Sequence, residues 1–401
     1  MRFPFRAAIC LALAAALAAT AVPACARPEQ PSPAGGAGLS GLPPLLDREL
    51  FFGDPQISGS QLSPDGKFIS FIKPYRDARN IWVKRLEEPF DAARPVTADQ
   101  RPVPGYFWSR DGKFILYVQD KGGNENWHVW AVDPAASPEA DTGVPPARDL
   151  TPLENVAARI NDLPENRPGV IIVGLNDRDA EYHDIYEVDI ATGERKLLIQ
   201  NTEKVGGYVF DWDGAVRLAV RPLPGGGNEL LRVDGGALTR VLDWTYEEQT
   251  GPAGFTPDNR QVYLVTNKGA DVDLARLELF DPQTGERQVV ESDPEKQVDF
   301  EGPIFDSATH ELIGTSYVGD RVRIYPRDKQ FKKDLEILRK KLPDGDLGWN
   351  SSTRDMRLHL VSVSSDVDPG SVYLYDRKTG KVELVYRGRP ELPSEHLAPM
   401  K

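Results

Sequence analysis

The sequence predicts an all-β fold: a seven-bladed β-propeller with three to four antiparallel strands per blade and one short amphipathic helix in blade six. Three observations carry this prediction. The first is a turn, Ser63-Pro64-Asp65-Gly66, that opens into Phe68-Ile69-Ser70-Phe71-Ile72. Proline presets φ, the aspartate bonds nearby backbone and the glycine accepts positive φ. The run after it is β-prone and apolar on both alternating faces, as in a strand covered on both sides. The second observation is recurrence. Equivalent strands begin at residues 68, 114, 170, 216, 262, 312 and 358, spaced by 46, 56, 46, 46, 50 and 46 residues. A sustained period of a few tens of residues marks a solenoid, a propeller or an array. The third is that every unit holds a second strand, such as Ile81-Trp82-Val83 or Val129-Trp130-Ala131-Val132. Several add a hairpin and a third, most clearly Asp281-Pro282-Gln283-Thr284-Gly285 before Gln288-Val289-Val290. Antiparallel units repeated seven times make a propeller, and the near absence of a 3.6-residue period excludes an α-solenoid.

In chain order, residues 1–26 read as an export signal: Arg2 and Arg6, an apolar run over 7–19, and Ala24-Cys25-Ala26 as the cleavage site. The run falls short of the roughly 20 apolar residues a membrane span requires, and Pro23 ends it. Periplasmic or secreted location follows; a lipid anchor on Cys25 fits less well because of Pro23. Residues 27–44, rich in Pro, Gly and Ala, read as a flexible tether. The propeller is expected over 45–388. It is prefaced by a helical turn at 45–52, with Leu46 and Leu50 on one face, that either seals blade one or docks onto another body. The longest spacing is explained by the Pro/Ala/Asp-rich loop 134–146 of blade two, and the next by the connection 291–302 into blade six. In blade six, Phe331, Leu335, Leu338 and Leu342 form a helical stripe opposite Lys332, Lys333, Arg339 and Lys340. That pattern is a helix laid against its own domain with one face in solvent. Residues 389–401 read as a linker leaving the propeller.

The formal net charge of −13 argues against a nucleic-acid partner, which needs a basic field. The two cysteines, Cys10 and Cys25, precede the propeller, which therefore holds no disulfide framework and no thiolate metal site. No G-x-S-x-G elbow occurs, so no catalytic residue is assigned. His128, His183, His310, His359 and His396 show no paired metal-ligand spacing, and no phosphate loop is present, so no metal and no cofactor is implied. Asp177, Asp179, Glu181 and Asp184, with His183, lack the spacing of a calcium loop and read as a solvated inter-strand loop. The tryptophans read as interblade packing. The candidate site is the polar stretch 119–128 of blade two, containing Asp120, Asn124, Glu125 and Asn126. Loops of this kind lie at one end of a propeller, where a carboxylate such as Glu125 or Asp120 can receive a positively charged group.

An ordered set of segments carries a family resemblance. Phe51-Phe52-Gly53, Leu62-Ser63-Pro64-Asp65-Gly66-Lys67, Asn80-Ile81-Trp82-Val83, Gln119-Asp120 with Asn124-Glu125-Asn126, and Arg148-Asp149-Leu150-Thr151-Pro152 resemble the propeller of the prolyl oligopeptidase family of serine peptidases. The dipeptidyl-aminopeptidase and acylaminoacyl-peptidase branch is the nearest. His396-Leu397-Ala398-Pro399-Met400-Lys401 is similar to the segment where such enzymes cross into an α/β-hydrolase domain. The resemblance implies a propeller that covers an active site, restricts access to short peptides and helps bind the substrate amino terminus, a role that falls to Glu125. The family's Ser-Asp-His triad lies in the hydrolase domain, which is absent from this sequence, so no triad residue carries over. The alternative is a TolB-like periplasmic propeller that binds a protein or peptide partner.

Overall fold

The computed structural model describes residues 44–400. The expected export signal, both cysteines and the expected tether up to residue 43 lie outside them. Seven antiparallel sheets follow one another along the chain, each made only of consecutive strands. Six have four strands; blade six has three, Phe300–Phe305, Leu312–Val318 and Val322–Pro326.

Every blade also contains a strand that the repeat did not disclose. It precedes the turn and is first in its sheet: Ser58–Leu62, Tyr106–Trp108, Ala158–Asp162, Gly207–Phe210, Thr250–Phe255, Phe300–Phe305 and Asp346–Ser352. These innermost strands are short and mix glycine, proline and polar residues, so no alternation announces them.

The turns obey the chemistry read from their residues. Ser63 Oγ donates to Asp65 Oδ1 and Ser109 Oγ to Asp111 Oδ1. The Gly66 and Gly112 amides close back on the carbonyls of Ser63 and Ser109, with φ of 72° at both glycines. That left-handed position recurs with side chains at Asn259, His310 and Met356. In blade seven the matching turn is 353–356, with Thr353 Oγ1 donating to Asp355.

Packing lies between neighbouring blades. Leu116, Val129 and Leu150 of blade two meet Ile171, Val173 and Val188 of blade three, and equivalent clusters join blades one to two and four to five. This is why the repeat strands are apolar on both faces: Phe71 and Ile72, on opposite sides of one strand, are both buried.

Among the described residues there are two α-helices, α1 (Glu49–Phe52) and α2 (Lys329–Lys341). Helix α2 follows the third strand of blade six, where the other blades place their fourth. Asp328 caps it by accepting from the Phe331 amide at 2.8 Å. Phe331, Leu335 and Leu338 are buried as the stripe predicts, and Phe331 meets the Trp349 ring of blade seven at 5.2 Å. Helix α1 buries none of its residues, so it does not seal blade one.

Among the described residues, no strand is shared between first and last blades. Side chains and loops join them instead: the Leu62 amide donates to Ser351 Oγ at 3.0 Å, the Arg354 amide to the Pro64 carbonyl at 2.9 Å, and Leu62, Ile69, Leu360 and Val372 form one cluster. Arg389 donates to the carbonyls of Leu50 and Gly53, tying the segment after blade seven to α1. Among the described residues, no helix is long and apolar enough to cross a membrane.

Candidate functional site

Antiparallel alternation gives the propeller two unlike ends. The repeat turns, which join first strand to second, gather at one. At the other lie the starts of the innermost strands, the hairpins joining second strand to third, α1 and the segment after blade seven.

The turn end is closed by side chains. Arg110 of blade two approaches Glu165 of blade three at 3.3 Å, and His310 of blade six reaches the other oxygen of Glu165 at 3.0 Å. His310 also stacks on Trp212 of blade four, with ring centroids 4.2 Å apart and planes 2° from parallel. The Trp212 amide donates to Asn259 of blade five, and the Arg354 guanidinium of blade seven donates to the Arg110 carbonyl. Blades three and six are not neighbours, so the Glu165–His310 contact crosses the axis.

The opposite end is open and contains a cavity of about 780 Å³ beside blades two to five. Its walls come largely from the innermost strands and the residues at their starts. Tyr106, Arg159, Asn161 and Tyr208 stand there with His183 and Trp244. Trp127 lines it as well. Trp212 and Trp108 pack between blades as expected, whereas Trp127 and Trp244 face this cavity. The repeat reading missed Arg159, Asn161 and Tyr208 because it missed the strands that hold them; the aromatic pairs before the turns, Tyr106-Phe107 and Tyr208 with Phe210, were the available signal.

The stretch 119–128 forms the blade-two hairpin at this open end. Asp120 is its anchor: its side chain is 1% exposed, it pairs with Arg101 at 3.1 Å, and it accepts from the Glu125 amide at 3.0 Å. Asn124 Oδ1 accepts from the Asn126 amide, shaping the tip. Gly122, Gly123 and Glu125 all take left-handed backbone, with φ of 69°, 85° and 60°. Glu125 is thereby lifted into solvent, and among the described residues nothing pairs with its carboxylate. The structure thus separates the four candidates, placing Asp120 within the loop and Glu125 on its outside. The Ala158 amide donates to the Trp127 carbonyl at 2.7 Å, joining the hairpin to the cavity wall.

The acidic stretch beside His183 is an inter-strand loop with Asp177 and Glu181 in solvent, as the sequence suggested, except at Asp184, which opens the next strand. Asp184 is buried and gripped by Arg178 through two bonds of 2.8 Å, while Asp177 accepts from the Tyr186 hydroxyl. Arg178 therefore holds the Asp184 carboxyl below its ordinary range. Burial pushes the His183 imidazole down to about 4, so it is neutral near pH 7. Among the described residues no group of His, Cys, Asp and Glu is placed to hold a metal.

Comparison with known proteins gives the class. No family model matches the chain. Dipeptidyl aminopeptidase BIII of Pseudoxanthomonas mexicana is 34% identical over 361 residues, spanning 88% of this chain and 50% of that protein. Dipeptidyl peptidase family member 6 of Caenorhabditis elegans is 28% identical over 366 residues, spanning 87% and 48%. The chain spans about half the length of the curated relatives it matches. In fold it is similar to the β-propeller domain of the Trilobed protease from Pyrococcus furiosus (TM-score 0.53, 11% identity), covering 84% of this chain and 97% of that one. Prolyl oligopeptidase B from Galerina marginata shares the fold at TM-score 0.57 and 12% identity, over 84% of this chain and 52% of its own. The chain is homologous to the propeller portion of peptidases of the prolyl oligopeptidase family.

Proposed function

We propose that this chain is the gating and substrate-binding propeller of an exported serine peptidase acting on short peptides, with Glu125 receiving the substrate's amino terminus. The observation that carries the reading is the placement of Glu125. Its unpaired carboxylate is displayed by a loop that Asp120 clamps, beside the cavity and at the open end. A carboxylate there attracts an ammonium group and orients a peptide without doing chemistry on it. The hydrolytic triad belongs to an α/β-hydrolase domain facing the open end, where α1 and the segment after blade seven meet. The closed turn end directs peptides to enter from the hydrolase side. The homology to a dipeptidyl aminopeptidase supports the substrate class, and the leader-like first 26 residues support export.

The test is calorimetric titration of the full chain with Ala-Phe-amide and with acetyl-Ala-Phe-amide. The free amine binds at least tenfold more tightly, and Glu125→Gln removes the difference. Equal binding of both peptides to the parent chain would refute the assignment. A fluorophosphonate probe should leave the chain unlabelled; stoichiometric labelling would show a nucleophile this reading does not contain.

A further inference from the structure

The cavity has a polarity of its own, distinct from the acidic loop at its rim. Its lining contains one cationic side chain, Arg159, and no aspartate or glutamate, in a chain of formal net charge −13. Arg159 is exposed on the innermost strand of blade three, and among the described residues no carboxylate pairs with it. Elsewhere in this structure arginines that reach into the fold meet acids: Arg178 with Asp184, Arg323 with Asp293, Arg377 with Asp334.

A second observation lies two residues along. In the pairing of Ala158–Asp162 with Val170–Leu175, Ile160 pairs with Val173 and Asp162 with Ile172, which leaves Asn161 as the extra residue of a bulge. Bulges of this kind re-aim a side chain and gather near functional sites. The Asn161 Nδ2 atom is buried and bonded to nothing, and so is Nε2 of His183. Both residues line the cavity. Gly174 permits their close approach: a Cβ there would stand 2.9 Å from Asn161 Nδ2 and 3.1 Å from His183 Cβ. The other side of the imidazole bonds the Ala157 backbone. A neutral His183 whose Nδ1–H meets that carbonyl offers a bare Nε2 as acceptor, while Asn161 offers a donor. Buried polar atoms left without partners are rare in folded proteins. One donor and one acceptor on the lining of one cavity match the carbonyl and N–H of a peptide bond.

We infer that this cavity binds the carboxylate-bearing end of a short peptide, with Arg159 taking the carboxylate and Asn161 and His183 taking a backbone amide, stacked among Trp127, Tyr208 and Trp244. The inference rests on the peptide reading above and adds a subsite for the end opposite the amino terminus. Guanidinium suits this role because its planar fork matches a carboxylate in two bonds.

N-acetylated peptides make the test independent of Glu125. Acetyl-Ala-Phe with a free carboxylate, acetyl-Ala-Phe-amide and acetyl-Phe-Glu-amide are titrated into the full chain by calorimetry, with tryptophan fluorescence as a second readout. The free acid binds at least tenfold more tightly than its amide, and Arg159→Gln abolishes the difference while Arg159→Lys keeps part of it. Gly174→Ala, which leaves Arg159 untouched, weakens the acid and the amide alike by crowding Asn161 and His183. Arg159-dependent binding of acetyl-Phe-Glu-amide also supports the carboxylate site and assigns its source to an acidic side chain. Equal affinity for acid and amide, or unchanged affinity in Arg159→Gln, overturns the inference. Because every ligand here lacks an amine, that failure leaves the Glu125 reading standing, and failure of the amine test leaves this one standing.

Discussion

Asp120→Ala tests whether the acidic loop is held in place or merely happens to be displayed. Asp120 is almost fully buried, yet its partners are unlike. The Glu125 amide donates to it at 3.0 Å, while Arg101, half exposed, pairs with it at 3.1 Å. A hydrogen bond to a charged acceptor contributes about 1.5–3 kcal/mol. The Arg101 pair is screened by solvent on its arginine side and adds less than about 1 kcal/mol. What the bond opposes is a loop with three left-handed residues, two of them glycines with large entropy to regain. A net loss of about 2 kcal/mol corresponds to roughly a 30-fold shift in the local opening equilibrium. Hydrogen exchange at the Glu125 amide should accelerate by that factor in Asp120→Ala, and binding of Ala-Phe-amide should weaken in parallel. Glu125→Gln should lose the peptide while keeping the parent exchange rate. If the Glu125 amide exchanges at the parent rate in Asp120→Ala, then Asp120 is not the anchor and the geometric basis for Glu125 fails.

Other consequences are measurable in the same way. Asp334 is fully buried on the inner face of α2, where Tyr375 and Gln330 donate to it and Arg377 pairs with it at 2.8 Å. Asp334→Ala leaves that arginine without its partner and should cost about 3–5 kcal/mol in urea unfolding; a loss under 1 kcal/mol, on the order of a surface change, would refute the pairing. Burial holds His359 at about 3, below its ordinary 6.5, while Met356 and Ser352 bond its two nitrogens. Its folded pKa is depressed, so the stability it contributes is complete above 6.5 and falls as pH drops toward 3. An acid titration of stability should therefore decline through that window, and His359→Gln should make the decline shallower. Glu165→Ala removes the contact that crosses the axis between blades three and six. It should admit a small polar quencher to Trp212 from the turn end, and unchanged quenching would show that end to be closed by something else.

What the sequence disclosed and what it hid divide along one physical line. Strands that pack between blades are apolar on both faces and follow a turn with strong chemistry, so Phe71, Ile115, Val173 and their counterparts were legible at once. Helix α2 was legible because its stripe has a period no strand imitates, although the buried Asp334 on its packed face was not, since an aspartate in a basic helix looks solvated. The innermost strands also pack into the interblade clusters, through Leu62, Trp108, Phe255 and Trp349, but they are short and mix glycine, proline and polar residues, so no alternation announces them. Arg159 and Asn161 sit among Ala158, Ile160 and Asp162 with no pattern around them, and the bulge that aims Asn161 is a register event visible only once strands are paired. Glu125 was singled out for the opposite reason: its loop is made of turn formers, whose chemistry is local.

The same line separates buried polar groups that hold the fold from those that await a ligand. Asp334 has Arg377, Asp184 has Arg178 and Asp293 has Arg323. Asn161 Nδ2 and His183 Nε2 meet no hydrogen-bond partner although both atoms are out of water. A buried donor without a partner costs about 1–3 kcal/mol, and replacing it with an apolar group of similar size removes that cost. Asn161→Leu should therefore leave the urea midpoint unchanged or raise it, while weakening acetyl-Ala-Phe. Asp334→Leu, similar on paper, should lower the unfolding free energy by about 3–5 kcal/mol, and the urea midpoint with it, because it strands a buried arginine. Opposite signs for two polar-to-leucine changes would mean that Asn161 is retained for binding at the expense of stability. A loss above 1 kcal/mol in Asn161→Leu, beyond the ordinary range of about ±0.5 kcal/mol for neutral substitutions, would instead make Asn161 part of the fold and remove the amide from the proposed subsite.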